Sequence, residues 1–154
     1  MSPEPMVVAP ADRPRSLNVV GEQVTVLASG EQTGSFEIFF QAGPEGCGPP
    51  PHSHPWDEAF YVLRGEIHFV VDGLERTAGA GAMVFVPAGT LHCFRLGSGG
   101  AEALSITSRP GAAAMFSDID AEISPDAPDL GKLVAVALAH GLDVAVPPLE
   151  EVAG

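Results

Sequence analysis

Between Glu22 and Ser108 the chain is a succession of short apolar segments, each closed by a turn. "EQVTVLAS", "SFEIFFQA", "EAFYVLRG", "EIHFVVDG", "LERTA", "AMVFVPAG", "LHCFRL" and "AEALSITS" follow one another, rich in β-branched and aromatic residues. Alternation of apolar and polar positions marks half-buried strands, and segments this short leave no room for long helices. Asp72-Gly73 is a hairpin signal. With 18 Gly and 15 Pro the chain is well supplied with turn residues. Roughly eight or nine strands at even spacing predict an all-β sandwich or barrel. In "SFEIFFQA", Phe36, Ile38 and Phe40 share one face, and Phe40 is expected in the pocket.

The flanks differ in character. Residues 1–16 are Pro-rich and unpatterned, and read as a flexible arm. Residues 17–110 carry the strands. After Pro110, "GAAAMFSDIDAEI" and "DLGKLVAVALAHG" read as one or two helices within a 111–146 extension, packed outside the strands. Leu130, Leu133, Val134, Ala137 and Leu138 form an apolar stripe on the second, and Gly141 suits the residue just past its end. Residues 147–154 read as a tail.

Charge narrows the function. Twenty acidic residues against seven basic ones give a formal charge of −13. Such a surface repels nucleic-acid phosphates and anionic membranes. Two cysteines are too few for a disulfide framework, and the N-terminus lacks a charged segment leading into an apolar one. A cytoplasmic location is therefore expected.

The chemistry concentrates in "PPPHSHPWDEAFYVLRG". His52 and His54 are two residues apart, so in an extended chain they point to the same side, and Glu58 keeps that parity. His92 follows the turn "PAGT". Imidazole nitrogens and a carboxylate oxygen suit a divalent first-row metal. Four protein ligands would leave about two positions open on an octahedral ion, as catalysis requires.

These residues resemble the cupins. The first cupin motif is matched by Gly46, His52, His54, Glu58 and Gly65, and the second by Gly81, Pro87, Gly89 and His92. The second motif's final Asn is replaced by Leu96. The resemblance implies a double-stranded β-helix, a jelly-roll barrel, around one divalent transition metal (Fe, Mn, Ni, Co, Zn or Cu) held by His52, His54, Glu58 and His92. Alternation puts Leu96 and Phe94 on the His92 face, so both are expected in the substrate pocket, with Trp56 at its mouth. Tyr61 is expected to pack in the core, and Asp57, of opposite parity to Glu58, is not expected to ligate.

The pattern is most similar to single-domain cupins compared with quercetin dioxygenases. That implies dioxygenase action, with O2, on a flavonol-like or enolic or phenolic small molecule, with Glu58 as general base. A non-oxidative cyclase or isomerase of polyketide-like or dicarbonyl substrates would use the same site, and so would a ligand-binding cupin without catalysis. Edge strands and an uncovered sheet face predict a homodimer through the N-terminal strands up to Phe40.

Overall fold

The computed structural model describes residues 2–145; the expected tail at 147–154 lies outside them. The strands are β1 (Leu17–Val19), β2 (Glu22–Ala28), β3 (Glu37–Gly43), β4 (His52–Ser53), β5 (Glu58–Arg64), β6 (Glu66–Val71), β7 (Leu74–Gly79), β8 (Met83–Val86), β9 (His92–Leu96), β10 (Ala101–Thr107) and β11 (Asp143–Val144). A four-residue helix α1 (Gly30–Thr33) links β2 to β3, and α2 (Ala112–Glu122) and α3 (Leu130–Ala139) follow β10. None of these helices is long and apolar enough to cross a membrane.

The strands form two antiparallel sheets. One has six strands in the order β1-β2-β3-β10-β5-β8, the other five in the order β11-β4-β9-β6-β7. The expected closed jelly-roll barrel does not form. Among the described residues no ladder joins the sheets: β8 pairs only with β5 and β7 only with β6. The chain changes sheets at corners instead of hydrogen-bonding across them. Gly65, between β5 and β6, is such a corner. Its φ is +75°, and an added Cβ would lie 2.3 Å from the Gly100 carbonyl oxygen, so only glycine fits. Two sheets then bury their facing sides against each other.

Burial follows the strand period. Phe60, Val62, Ile67, Phe69, Val86, Phe94 and Leu96 make one apolar cluster between the sheets. Val24, Phe39 and Trp56 join Met115, Ile119, Val136 and Ala137 in a second, beneath α2 and α3. Strand β3 corrects the sequence reading. It buries Glu37, Phe39 and Gln41, while Phe36 is exposed and Ile38 and Phe40 are half-buried on the other face. The inward polar groups are satisfied. Glu37 accepts hydrogen bonds from the backbone N–H of Gly30, Gly111 and Ala113, and the Gln41 amide donates to Ser105 Oγ. A carboxylate that caps two helix starts is stable where an unpartnered one would not be. Phe40 instead lies under the Arg13 guanidinium, 4.8 Å from its ring centre.

The helices end as their sequences dictate. Asp129 caps α3 by accepting from the Lys132 N–H. At the other end Gly141 (φ +87°) donates to the Leu138 carbonyl and Leu142 to that of Ala137, the paired bonds of a Schellman stop. The chain then returns as β11 to pair with β4. The C-terminal helices therefore do more than pack outside: they roof the opening between the sheets.

Candidate metal centre

Parity along one extended strand does not explain how His52, His54 and Glu58 come together. Strand β4 ends at Ser53, and the chain crosses the gap through Pro55 and Trp56 before entering β5 at Glu58. His52 thus projects from the five-stranded sheet, Glu58 from the six-stranded sheet, and His54 from the crossing segment. His92 enters from β9, where it is the direct cross-strand partner of His52. The "PAGT" turn that presents His92 is held from two sides. Gly89 N–H donates to the His54 carbonyl, and Ala88 N–H donates to Asp57 Oδ1. Asp57 is thereby a turn anchor facing away from the centre.

All four side chains are buried, His92 at 1% exposure. Potential ligand atoms of His52, His54 and His92 lie within 4.8 Å of one another. Each ring is fixed by its Nδ1, which faces a carbonyl oxygen: Pro50 at 3.0 Å, Trp56 at 2.9 Å and Thr90 at 2.8 Å. A carbonyl only accepts, so in the neutral ring Nδ1 carries the proton and Nε2 presents its lone pair. Nε2 of both His54 and His92 is buried without a hydrogen-bond partner. Glu58 Oε1 stands 3.6 Å from His54 Nε2 and 3.7 Å from His92 Nε2, too far for hydrogen bonds.

Lone pairs and a carboxylate converging on one buried point suit a cation. The protonation equilibria agree. Burial, helped by His92, pushes the His52 pKa down to about 4, so its ring is neutral at pH 7. Burial pushes the Glu58 carboxyl up; a positive charge at the His54 and His92 rings outweighs it and holds the group at about 2, and where the rings are neutral a bound cation would supply that charge. The triad His52, His54 and His92 is consistent with a single divalent transition metal, and nitrogen donors alone do not select among such ions.

A cavity of about 400 Å³ opens onto this centre. Its walls are mostly apolar, with Val19, Val20 and Val24 on one side and Met115, Phe116 and Leu133 from the helical roof. Trp56 and Phe94 line it, and Trp56 also stacks on His54 with ring centres 4.7 Å apart. Phe40 and Leu96 are not among the lining residues. Leu96 is core, 4% exposed. Alternation put Phe94 and Leu96 on one face, and they do share it; the cavity simply ends before Leu96. Tyr61, expected in the core, is 46% exposed on the outer face of β5. A wider surface groove of about 580 Å³, near Val71, Leu74, Met83 and Phe85, touches none of the centre's residues.

Sequence reasoning missed one group. Glu22 also lines the cavity, is buried, and its Oε1 has no partner. The signal was present: Glu22 occupies an inward position of β2, in step with Val24.

A cupin domain family matches residues 39–107, which span the whole centre. The quercetin 2,3-dioxygenase of Bacillus subtilis is 35% identical over 102 residues, covering 64% of this chain but only 30% of that enzyme. Among solved structures, KdgF from a Halomonas species superposes with a TM-score of 0.63 at 18% identity, covering 69% of this chain and 94% of that one. The DMSP lyase DddQ from Ruegeria pomeroyi superposes with a TM-score of 0.52 at 28% identity, covering 57% and 47%. Motif and histidine triad agree with the family match, which makes residues 39–107 a cupin domain.

Proposed function

We propose that this protein is a metal-dependent cupin enzyme, a dioxygenase acting on an enolic or phenolic small molecule of the flavonol type. The observation that carries the reading is the histidine triad, with Glu58 beside it, at the base of an apolar cavity. His52, His54 and His92 would hold the ion through Nε2, with Glu58 as a fourth ligand. Bound there, a divalent metal supplies Lewis acidity, lowering the pKa of a ligand hydroxyl. Glu58, ionised across the neutral range, accepts the proton released. Its own low basicity means it takes protons only from a strongly acidified hydroxyl. Trp56, Phe94 and the α2–α3 roof exclude water and offer flat apolar surface to an aromatic guest. The likeness to the Bacillus quercetin 2,3-dioxygenase supports this class of substrate.

A second reading is non-oxidative: a cyclase or isomerase that stabilises an enolate at the same centre. The likeness to a lyase of the same fold favours keeping it. Elemental analysis of the purified protein, followed by oxygen uptake with quercetin and with 1,3-diketones, separates the two. Oxygen consumption stoichiometric with substrate loss supports the dioxygenase. Substrate conversion under strict anaerobiosis supports the second reading and ends the first.

We also propose a homodimer, through a different face from that expected of the N-terminal strands. The β1 edge is packed against α2, whereas β8 is a free edge. Met83, Phe85, Tyr61 and Ile106 are exposed together on its outer face. Light scattering should give twice the chain mass, and Phe85→Glu should halve it. A monomer at micromolar concentration in the unaltered protein refutes the dimer.

A further inference from the structure

Besides Gln41 and Arg95, whose side chains hydrogen-bond to Ser105 and to the Pro49 and Phe94 carbonyls, the cavity is lined by a carboxyl that the metal centre does not use. Glu22 is 5% exposed on β2, and its Oε1 is buried with no hydrogen-bond partner. Its neighbours on the cavity wall are apolar: Val19, Val20 and Val24. Among the described residues no basic group pairs with it; the charged group whose field it feels is Glu58, which is like-signed. A buried carboxyl facing a cavity with nothing to bond is unstable unless something in the cavity meets it.

We propose that Glu22 is a specificity-determining residue, which hydrogen-bonds a second oxygen of a ligand whose first oxygen is held at the triad. The ligand class follows from where the polar groups stand. One oxygen goes to His52, His54 and His92, an apolar body fills the space under Met115, Phe116 and Leu133, and a hydroxyl remote from the first oxygen meets Glu22. A hydroxyl both donates and accepts, so it satisfies Oε1 whether or not the carboxyl carries its proton. That matters, because burial and then Glu58 push the Glu22 pKa up to about 8, and both forms are populated near neutrality. A singly oxygenated ligand would leave Oε1 dry and unpaired, and is discriminated against for that reason.

The inference rests on the reading of the site as one that takes an oxygenated aromatic or enolic ligand, and the test separates the two. Metal-loaded full-length protein is titrated with two matched pairs. Quercetin is compared with 3-hydroxyflavone, which lacks the remote hydroxyls, and kojic acid with 3-hydroxy-4-pyranone, which lacks the hydroxymethyl group. The proposal expects at least one hydroxylated member to bind about tenfold more tightly than its partner, one decade being about 1.4 kcal/mol. Glu22→Leu should abolish that preference and Glu22→Gln should keep part of it. Metal content should be native in both variants, since no triad residue changes. If the flavonol pair fails to bind while the pyranone pair shows the Glu22-dependent preference, the flavonol reading fails and Glu22 keeps its role. If no pair shows a preference that depends on Glu22, or neither pair binds, the assignment of Glu22 is overturned.

Discussion

Each histidine of the triad is aimed by a single backbone carbonyl on its Nδ1. Orientation is therefore built in before any ion arrives, which favours tight binding. Replacing His52, His54 or His92 with Ala should each lower metal occupancy at least tenfold by elemental analysis, and Glu58→Gln should lower it less while abolishing turnover. Full occupancy in all three Ala variants would remove the triad from consideration. Two strongly shifted buried groups, His52 and Glu22, also set opposite pH limits on the metal-free protein. The His52 pKa is lowered to about 4, so its contribution to stability is complete above its unfolded value of 6.5 and is lost as pH falls through 4. The Glu22 pKa is raised to about 8, so its contribution is complete below 4.5 and is lost as pH rises through 8. Glu22→Gln should therefore flatten the alkaline limb, relieving a loss of at most a few kcal/mol at about 1.4 kcal/mol per pKa unit. Urea titrations of both metal-free proteins between pH 5 and pH 9 check this; parallel limbs would mean that Glu22 does not titrate as its burial dictates.

Among the elements, those with local signals were legible and those settled by remote partners were not. Asp72-Gly73 has both φ values positive, +50° and +77°, as a two-residue hairpin of that sequence demands. The ends of α3 could be read from Asp129 and Gly141 because caps are local chemistry. The inward face of β3 was misread because periodicity gives two faces and hydropathy chose between them. The polar face won, since Glu37 finds three backbone donors 7 to 76 residues away in sequence. The histidines of the centre were legible from spacing, although the parity argument that grouped them assumed a strand that ends at Ser53. Glu22 was passed over because a lone acid in an alternating strand looks like its solvent face. Glu37 couples the strand to the roof, so its loss should be felt there. Glu37→Leu leaves those N–H groups without their charged acceptor and should destabilise the protein by about 2–4 kcal/mol. Hydrogen exchange should rise first at the start of α2, where Gly111 and Ala113 donate. Uniform exchange across all strands, with α2 unaffected, would contradict this link.

At the scale of the whole molecule, two sheets without a shared ladder are held by side chains between them. Alternation in sequence is the same for an open pair of sheets as for a closed barrel, so closure could not be read from it; it depends on whether edge strands such as β7 and β8 meet. The candidate centre lies across that gap. His52 and His92 belong to the five-stranded sheet and Glu58 to the six-stranded one, with His54 on the segment between. An ion bound by the four would join the sheets where the backbone does not. Binding to the folded state alone stabilises by mass action, about 4 kcal/mol when free metal is a thousandfold above Kd. For a chain of this length each kcal/mol moves Tm by roughly 2–4 °C. Removing the metal with a chelator should thus lower Tm by about 10 °C, and restoring it should raise protection from hydrogen exchange in β4, β9 and the start of β5 together. Glu58→Gln should show a smaller rise, with the gain in protection confined to β4 and β9, because the remaining three ligands do not reach the six-stranded sheet. If loaded and stripped protein melt at the same temperature while elemental analysis finds bound metal, the ion sits elsewhere and the centre is not the tie between the sheets.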